Sequence, residues 1–193
     1  MTMSFREGIL AVFKEILQTA LISLGIFFFV YILLVQPHRV KGDSMFPNFI
    51  DGELLLTEKV TYRLFKPKRG DVIVFKAPTL QKVDFIKRII GLPHDNVKIE
   101  NGTIFINGIK IEEPYETQST EGSINILLSD NQYYVLGDNR QASSDSRAFG
   151  AIERKSIKGK SWLVYWPIFT NQKYKGTRFI SGVDYGIPDT LQN

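Results

Sequence analysis

The sequence predicts a mainly β protein: an antiparallel, coiled-sheet or barrel-like domain behind one N-terminal transmembrane helix. Three observations carry that prediction. Ile16 to Val35 is a run of twenty residues without a charge. After Val35 no stretch keeps a helical period over three turns; short apolar segments alternate with turns instead. Two Asn-Gly pairs, Asn101-Gly102 and Asn107-Gly108, separate alternating segments, which is a strong local hairpin signal.

Taken in order, residues 1–15 carry Arg6, Glu7, Lys14 and Glu15 and form a short leading segment. Residues 16–35 as a helix would span ~30 Å, the hydrocarbon thickness of a bilayer. A helix buried in a soluble core would show a polar face, and the run after Thr19 shows almost none. A cleavable signal peptide would need small residues at a cut site, whereas Val35-Gln36-Pro37-His38-Arg39 follows, so a retained anchor is expected. Arg6 and Lys14 before the anchor balance Arg39 and Lys41 after it, and charge does not orient it.

Residues 36–193 then form one β-rich domain. Glu53–Val60, Val72–Phe75 and Val83–Ile90 read as strands. Residues 96–100, 103–106 and 109–112 make a three-stranded meander, 114–131 a polar loop, and Gln132–Leu136 and Ser156–Trp166 two further strands. The polar tail 168–193 is expected to be partly disordered.

Composition narrows the chemistry. The 193 residues are 44% hydrophobic and 23% charged, as in a globular protein, with net charge +4. There is no cysteine, which removes disulfides, thiol catalysis and cysteine-rich metal sites. Two histidines, His38 and His94, are too few for a histidine-based metal cluster, so no metal is expected. No basic stretch interleaved with aromatics points to nucleic acid.

One turn, Gly42-Asp43-Ser44-Met45-Phe46-Pro47, holds a serine just beyond the anchor. Gly42 is open to backbone angles that a side chain forbids, and Pro47 fixes its own φ. Such residues also make ordinary surface turns, so Ser44 becomes a candidate nucleophile only with a base nearby. Neither histidine has a distinctive setting. Lys87 is the other candidate. In a strand it shares a face with Phe85 and Ile89, while Asp84, Ile86, Arg88 and Ile90 take the other. If the first face is buried, the ammonium is disfavoured and a neutral amine can act as a base. The alternative is a lysine reaching to solvent. The polar segment Gly137 to Arg147 is either a solvated loop or one pinned by an Asp145–Arg147 pair, able to aim a serine at the amine.

These segments together resemble the type I signal peptidase family, membrane-bound serine proteases that remove signal peptides from exported proteins. The matching stretches are Gly42-Asp43-Ser44-Met45-Phe46-Pro47, Arg69-Gly70-Asp71-Val72-Ile73-Val74-Phe75, Lys87-Arg88-Ile89-Ile90-Gly91-Leu92-Pro93, and Gly137-Asp138-Asn139-Arg140 through Asp145-Ser146-Arg147. They follow one another in the family's order behind a membrane anchor, and the short chain is similar to the Gram-positive bacterial branch. Self-cleaving repressors of the SOS response share the Ser-Lys chemistry but lack such an anchor.

The resemblance implies Ser44 as nucleophile and Lys87 as general base, with no cofactor. It implies that Ser143 hydrogen-bonds the lysine amine, that Asp145 pairs with Arg147, and that Asp138 pairs with Arg88. It implies apolar substrate pockets lined by Val40, Met45, Phe49, Phe85 and Ile86, accepting small residues, usually Ala, at the first and third positions before the cut. The partners implied are the signal peptides of exported preproteins and the lipid bilayer. The location implied is a bacterial cell membrane, with 1–15 cytoplasmic, 16–35 the anchor and 36–193 extracytoplasmic. Three positions depart from the family's pattern. Gly42 stands where some members carry a serine that donates to the oxyanion, Phe85 replaces a frequent tyrosine, and His94 a frequent glycine. The competing function is a catalytically inactive membrane-tethered β domain that binds precursors or a partner, which would have no need of both Ser44 and Lys87.

Overall fold

The computed structural model describes residues 5–78, 83–115 and 119–187. Two compact units divide it, residues 1–36 and 37–193.

The first unit is the helix α1 (Phe5–Leu34), whose stretch Gly8–Tyr31 is long and apolar enough to cross a membrane. Its apolar side chains, among them Ile16, Leu24 and Phe29, are exposed. The helix begins eleven residues before the uncharged run expected as the anchor, since 16 and 5 differ by 11. Arg6, Glu7, Lys14 and Glu15 are good helix formers, so the helix propagates through the leading segment. It stops before Pro37, because the residue preceding a proline is pushed out of α geometry.

The second unit is mainly β, as predicted. Its large sheet uses β1 (Val35–Arg39), β2 (Leu54–Glu58), β3 (Val72–Lys76), β4 (Asp84–Gly91), β9 (Gln132–Leu136), β10 (Ile152–Glu153), β11 (Ile157–Trp166) and β12 (Arg178–Phe179), with β5–β8 lying elsewhere. The order is β1-β2-β11-β3-β4-β9-β10, with β12 also on β11. The pairs from β2 onward are antiparallel. Register shifts interrupt β11 against both β2 and β3, and such bulges bend and coil a sheet.

The smaller sheet has the order β7-β6-β5-β8, from β5 (Asn96–Glu100), β6 (Thr103–Ile106), β7 (Ile109–Lys110) and β8 (Ile124–Leu127). The first three are the expected meander. Asn101 (φ 51°) with Gly102 (φ 78°), and Asn107 (φ 52°) with Gly108 (φ 84°), are left-handed at both turn centres. That geometry matches the right-handed twist of a tight hairpin.

Two expectations need correction. The stretch 114–131 is not loop throughout, because Ile124–Leu127 forms β8 against β5. Ile124 and Ile126 pack on the core while Asn125 and Leu127 face out, an alternation hidden by its polar flanks. The tail is ordered over its described part: β12 pairs with β11, and Tyr185 and Ile187 are buried; residues 188–193 lie outside the described residues. Single helical turns occur at α2 (Thr61–Leu64) and α3 (Ser146–Phe149), too short to leave a period in the sequence.

Core residues fall into three buried clusters. One lies at the small sheet, around Val97, Ile99, Ile106 and Tyr134. The others take alternate residues of β3: Ile73 and Phe75 enter one, Val72 and Val74 the other. Pairing of β3 with β4 sets Ile73 opposite Lys87 and Phe75 opposite Phe85, so Lys87 belongs to an apolar face. Ile106, fully buried between these layers, is a direct probe of the small-sheet core. Ile106→Ala is expected to lower unfolding free energy by about 2–5 kcal/mol, measured from urea denaturation midpoints.

Candidate active site

Ser44 sits in a tight turn between β1 and β2. Phe46 N–H donates to the Asp43 carbonyl (3.0 Å), and the N–H groups of Asn48 and Phe49 donate to the Met45 carbonyl (3.0 and 2.9 Å). This turn carries Met45 and Phe49, both facing the core. Ser44 is left at the surface of the turn, half-buried. Gly42 has φ +77° and its N–H donates to Asp51 Oδ1 (2.8 Å). A side chain there would meet open space, yet the left-handed backbone would strain it by ~1–2 kcal/mol. Glycine therefore has a conformational reason to occupy the position.

Lys87 Nζ lies 2.6 Å from Ser44 Oγ. The lysine is 3% exposed and its Nζ sits 5.4 Å from the centre of the Phe85 ring. Burial pushes its pKa down to about 8, against the opposing pull of the Asp145 and then the Asp138 carboxylates. At mildly alkaline pH a large share of the amine is thus neutral, and a neutral amine can accept the Ser44 hydroxyl proton.

Both carboxylates are tied down by arginines. Asp145 accepts from Arg147 Nε (2.8 Å) and Nη2 (2.9 Å), and from the Gly137 N–H (3.1 Å). Asp138 accepts from Arg88 Nε (2.8 Å) and Nη2 (2.7 Å) and from Asn48 Nδ2 (2.9 Å). Arg88 also donates to the Gly70 carbonyl (2.9 Å). Forked pairs of this kind fix geometry as well as charge. The loop Gly137–Arg147 meets the serine turn through the backbone: Asn139 N–H donates to the Ser44 carbonyl (3.0 Å). A Cβ at Gly137 would collide with that carbonyl and with Ser143 Oγ.

Ser143 corrects one expectation. Its Oγ is buried and has no hydrogen-bond partner among the described residues, so the expected bond to Lys87 is not made. The hydroxyl packs over the bare face of Gly137, and the amine turns to Ser44 instead.

A cleft of about 350 Å³ opens beside the Ser44–Lys87 pair. Val40, Phe85 and Ile86 line it; Met45 and Phe49 do not, and both are buried in the core. The correction follows from the hydrogen-bonded turn, which sends positions 45 and 49 inward together. Leu55, Val74, Ala142 and Ser144 also line it and were not singled out in the sequence, and Arg39, Lys41, Asp43 and Asp84 add charged groups to its walls. Leu55 and Val74 belong to strands that read only as core, so their place beside a cleft left no signal. His38 lies at the rim, 3.9 Å from Asp84, and burial lowers its pKa. His94 is remote, at a turn with φ 69°, 3.5 Å from Asp130. Its left-handed backbone is why glycine would also suit that place. Among the described residues no group of His, Cys, Asp or Glu is arranged to hold a metal ion.

A serine hydroxyl at hydrogen-bonding distance from a buried amine, beside an open cleft, defines the serine hydrolases that use lysine in place of histidine. The family described as "Signal peptidase, peptidase S26" matches residues 13–166. The chain belongs to this family of serine endopeptidases. It is 34% identical to signal peptidase IB of Staphylococcus aureus (strain MRSA252), over 83% of this chain and 94% of that protein. It is 33% identical to a probable signal peptidase I-2 of Synechocystis, over 80% of this chain and 72% of that one. A crystal structure of a signal peptidase I from Enterococcus faecalis V583 is 31% identical and covers 50% of this chain and 97% of its own, with a TM-score of 0.45.

Two outcomes follow from this geometry. Lys87 is charged in the unfolded chain below about pH 10.4, but in the fold only below about 8. The folded state therefore bears the full cost of a buried charge below pH 8, and that cost fades as pH rises to the unfolded value. Lys87→Met is expected to raise stability by up to roughly 3 kcal/mol at pH 7, and by much less at pH 10, in parallel denaturant titrations. Gly137→Ala is expected to displace Ser143 and the Ser44 carbonyl, which thermal melts would register as a Tm several degrees lower.

Proposed function

We propose that this chain cleaves signal peptides from exported preproteins, with Ser44 as nucleophile and Lys87 as general base. The 2.6 Å approach of Lys87 Nζ to Ser44 Oγ carries the reading. Neutral Lys87 takes the Ser44 proton as Oγ attacks the scissile carbonyl. The resulting ammonium gives the proton to the leaving amine, and water then opens the acyl-enzyme with Lys87 again as base.

The Ser44 N–H donates no hydrogen bond among the described residues, which leaves it free for the developing oxyanion. One such donor can contribute ~3 kcal/mol to the transition state. Gly42 supplies no hydroxyl for that purpose. Asp145 and Asp138, each neutralised by its arginine, hold the lysine's surroundings without forcing it to stay charged. In this reading Asp145, Arg147, Asp138 and Arg88 are supporting residues.

The substrate is an extended segment with small side chains before the cut. Val40, Phe85 and Ile86, joined by Leu55 and Val74, leave a shallow apolar floor that suits alanine and rejects bulk. The helix α1 anchors the chain in a bacterial cell membrane, with the β domain on the extracytoplasmic face. Substrates tethered to the same membrane arrive at a raised effective concentration. No cofactor enters the scheme.

Ser44→Ala should leave an exported precursor uncut, and Lys87→Ala should lower kcat ~10²–10⁴-fold, in detergent-solubilised protein that stays folded. Precursor cut at a wild-type rate by Lys87→Ala would remove the lysine as base. For the wild-type chain, kcat/KM should climb about tenfold per pH unit below pH 8 and level off above it, because only the neutral amine is active. A profile flat between pH 6 and 9 would contradict a depressed lysine.

A further inference from the structure

The segment beyond Trp166 lies outside the stretch matched by the family, yet it returns to the serine turn. Its short strand β12 pairs with β11 and carries Arg178. The Arg178 guanidinium grips Glu53 with both prongs: Nη1 to Oε1 is 2.7 Å and Nη2 to Oε2 is 2.7 Å. Nη2 also donates to the Asn48 carbonyl, and Glu53 Oε2 accepts the Ile50 N–H (3.1 Å). Glu53 is fully buried, so Arg178 is what compensates its charge. Asn48 in turn reaches Asp138 through Nδ2. One side chain of the tail thus fixes both ends of the segment 48–53 that follows Ser44.

We propose that Arg178 is a positioning residue for Ser44. By holding the Asn48 carbonyl and the Glu53 carboxylate it sets the turn that presents Ser44 Oγ to Lys87. It touches neither substrate nor the reacting atoms. The requirement is geometric, because a displacement of about 1 Å at a reacting group can cost ~10²-fold in rate. It is also specific to arginine. A lysine keeps the charge but cannot span two carboxylate oxygens and a carbonyl in one plane. The inference rests on Ser44 being the nucleophile.

The test compares Arg178→Lys and Arg178→Met with the wild-type full chain in detergent, cleaving a purified precursor well below each protein's Tm. Expected are a kcat about tenfold lower for Arg178→Lys and ~10²-fold lower for Arg178→Met, with KM within twofold of wild type. The acidic limb should stay near pH 8 in both, since Arg178 acts on the serine turn and not on Lys87. Purely structural support would lower Tm and leave kcat unchanged below it. Folded variants with wild-type kcat overturn the inference, as does a limb that moves by more than half a pH unit. If Arg178→Met does not fold, Arg178→Lys decides by the same measures. A wild-type chain that leaves precursor intact overturns the nucleophile assignment together with this inference. A wild-type chain that cleaves beside equally active variants overturns this inference alone.

Discussion

The site depends on burying one amine. Lys87 is a strand residue with apolar neighbours on its own face, and that environment lowers its pKa to about 8. Burial would be undone by a free carboxylate close by, since an opposite charge favours the ammonium. Asp145 and Asp138 are both close enough to pull the other way. Each is instead clasped by a forked arginine, Arg147 and Arg88, which spends most of its field on that pair. The two ion pairs therefore do more than shape a loop. They let carboxylates order the lysine's surroundings at limited electrostatic cost to its neutral form.

The sheet order explains how distant segments meet. β4 brings Lys87 between β3 and β9, and β9 leads straight into the loop that begins at Gly137. The serine turn comes from the other side, between β1 and β2, and joins that loop through the Ser44 carbonyl and the Asn139 N–H. The tail closes the arrangement from outside the family's matched stretch, with Arg178 on the serine turn. Further along, Tyr185 meets Tyr115 (2.6 Å between hydroxyls), and Arg88 lies over the Tyr115 ring at 4.2 Å. Both halves of the site thus carry a load-sharing contact with residues near the chain's end.

Much of this was legible in the sequence. Alternation in Asp84–Ile90 placed Lys87 with Phe85 and Ile89, and the β3–β4 register sets it among their neighbours. Asn-Gly pairs locate the meander because both residues tolerate left-handed angles cheaply. What was not legible depended on tertiary contact. β12 is two residues long and exists because β11 offers an edge. The motif puts Met45 and Phe49 at the cleft, but the tight turn that holds them, whose geometry depends on its hydrogen bonds, sends both into the core. Motif position assigns Ser143 to the lysine, but its buried hydroxyl, packed beside Gly137, makes no hydrogen bond to the amine. Arg178 had no sequence signal, because its meaning lies in a buried glutamate 125 residues away.

The central claim, that the fold lowers the pKa of the Lys87 amine to about 8, is open to direct observation. The protein, labelled with ¹³C at lysine Cε and held in detergent micelles, would be titrated by NMR, with Lys87→Met assigning the signal. A single lysine titrating near pH 8 and missing from the variant is the predicted result. A Lys87 signal that titrates with the other lysines, near pH 10.4, would contradict the account.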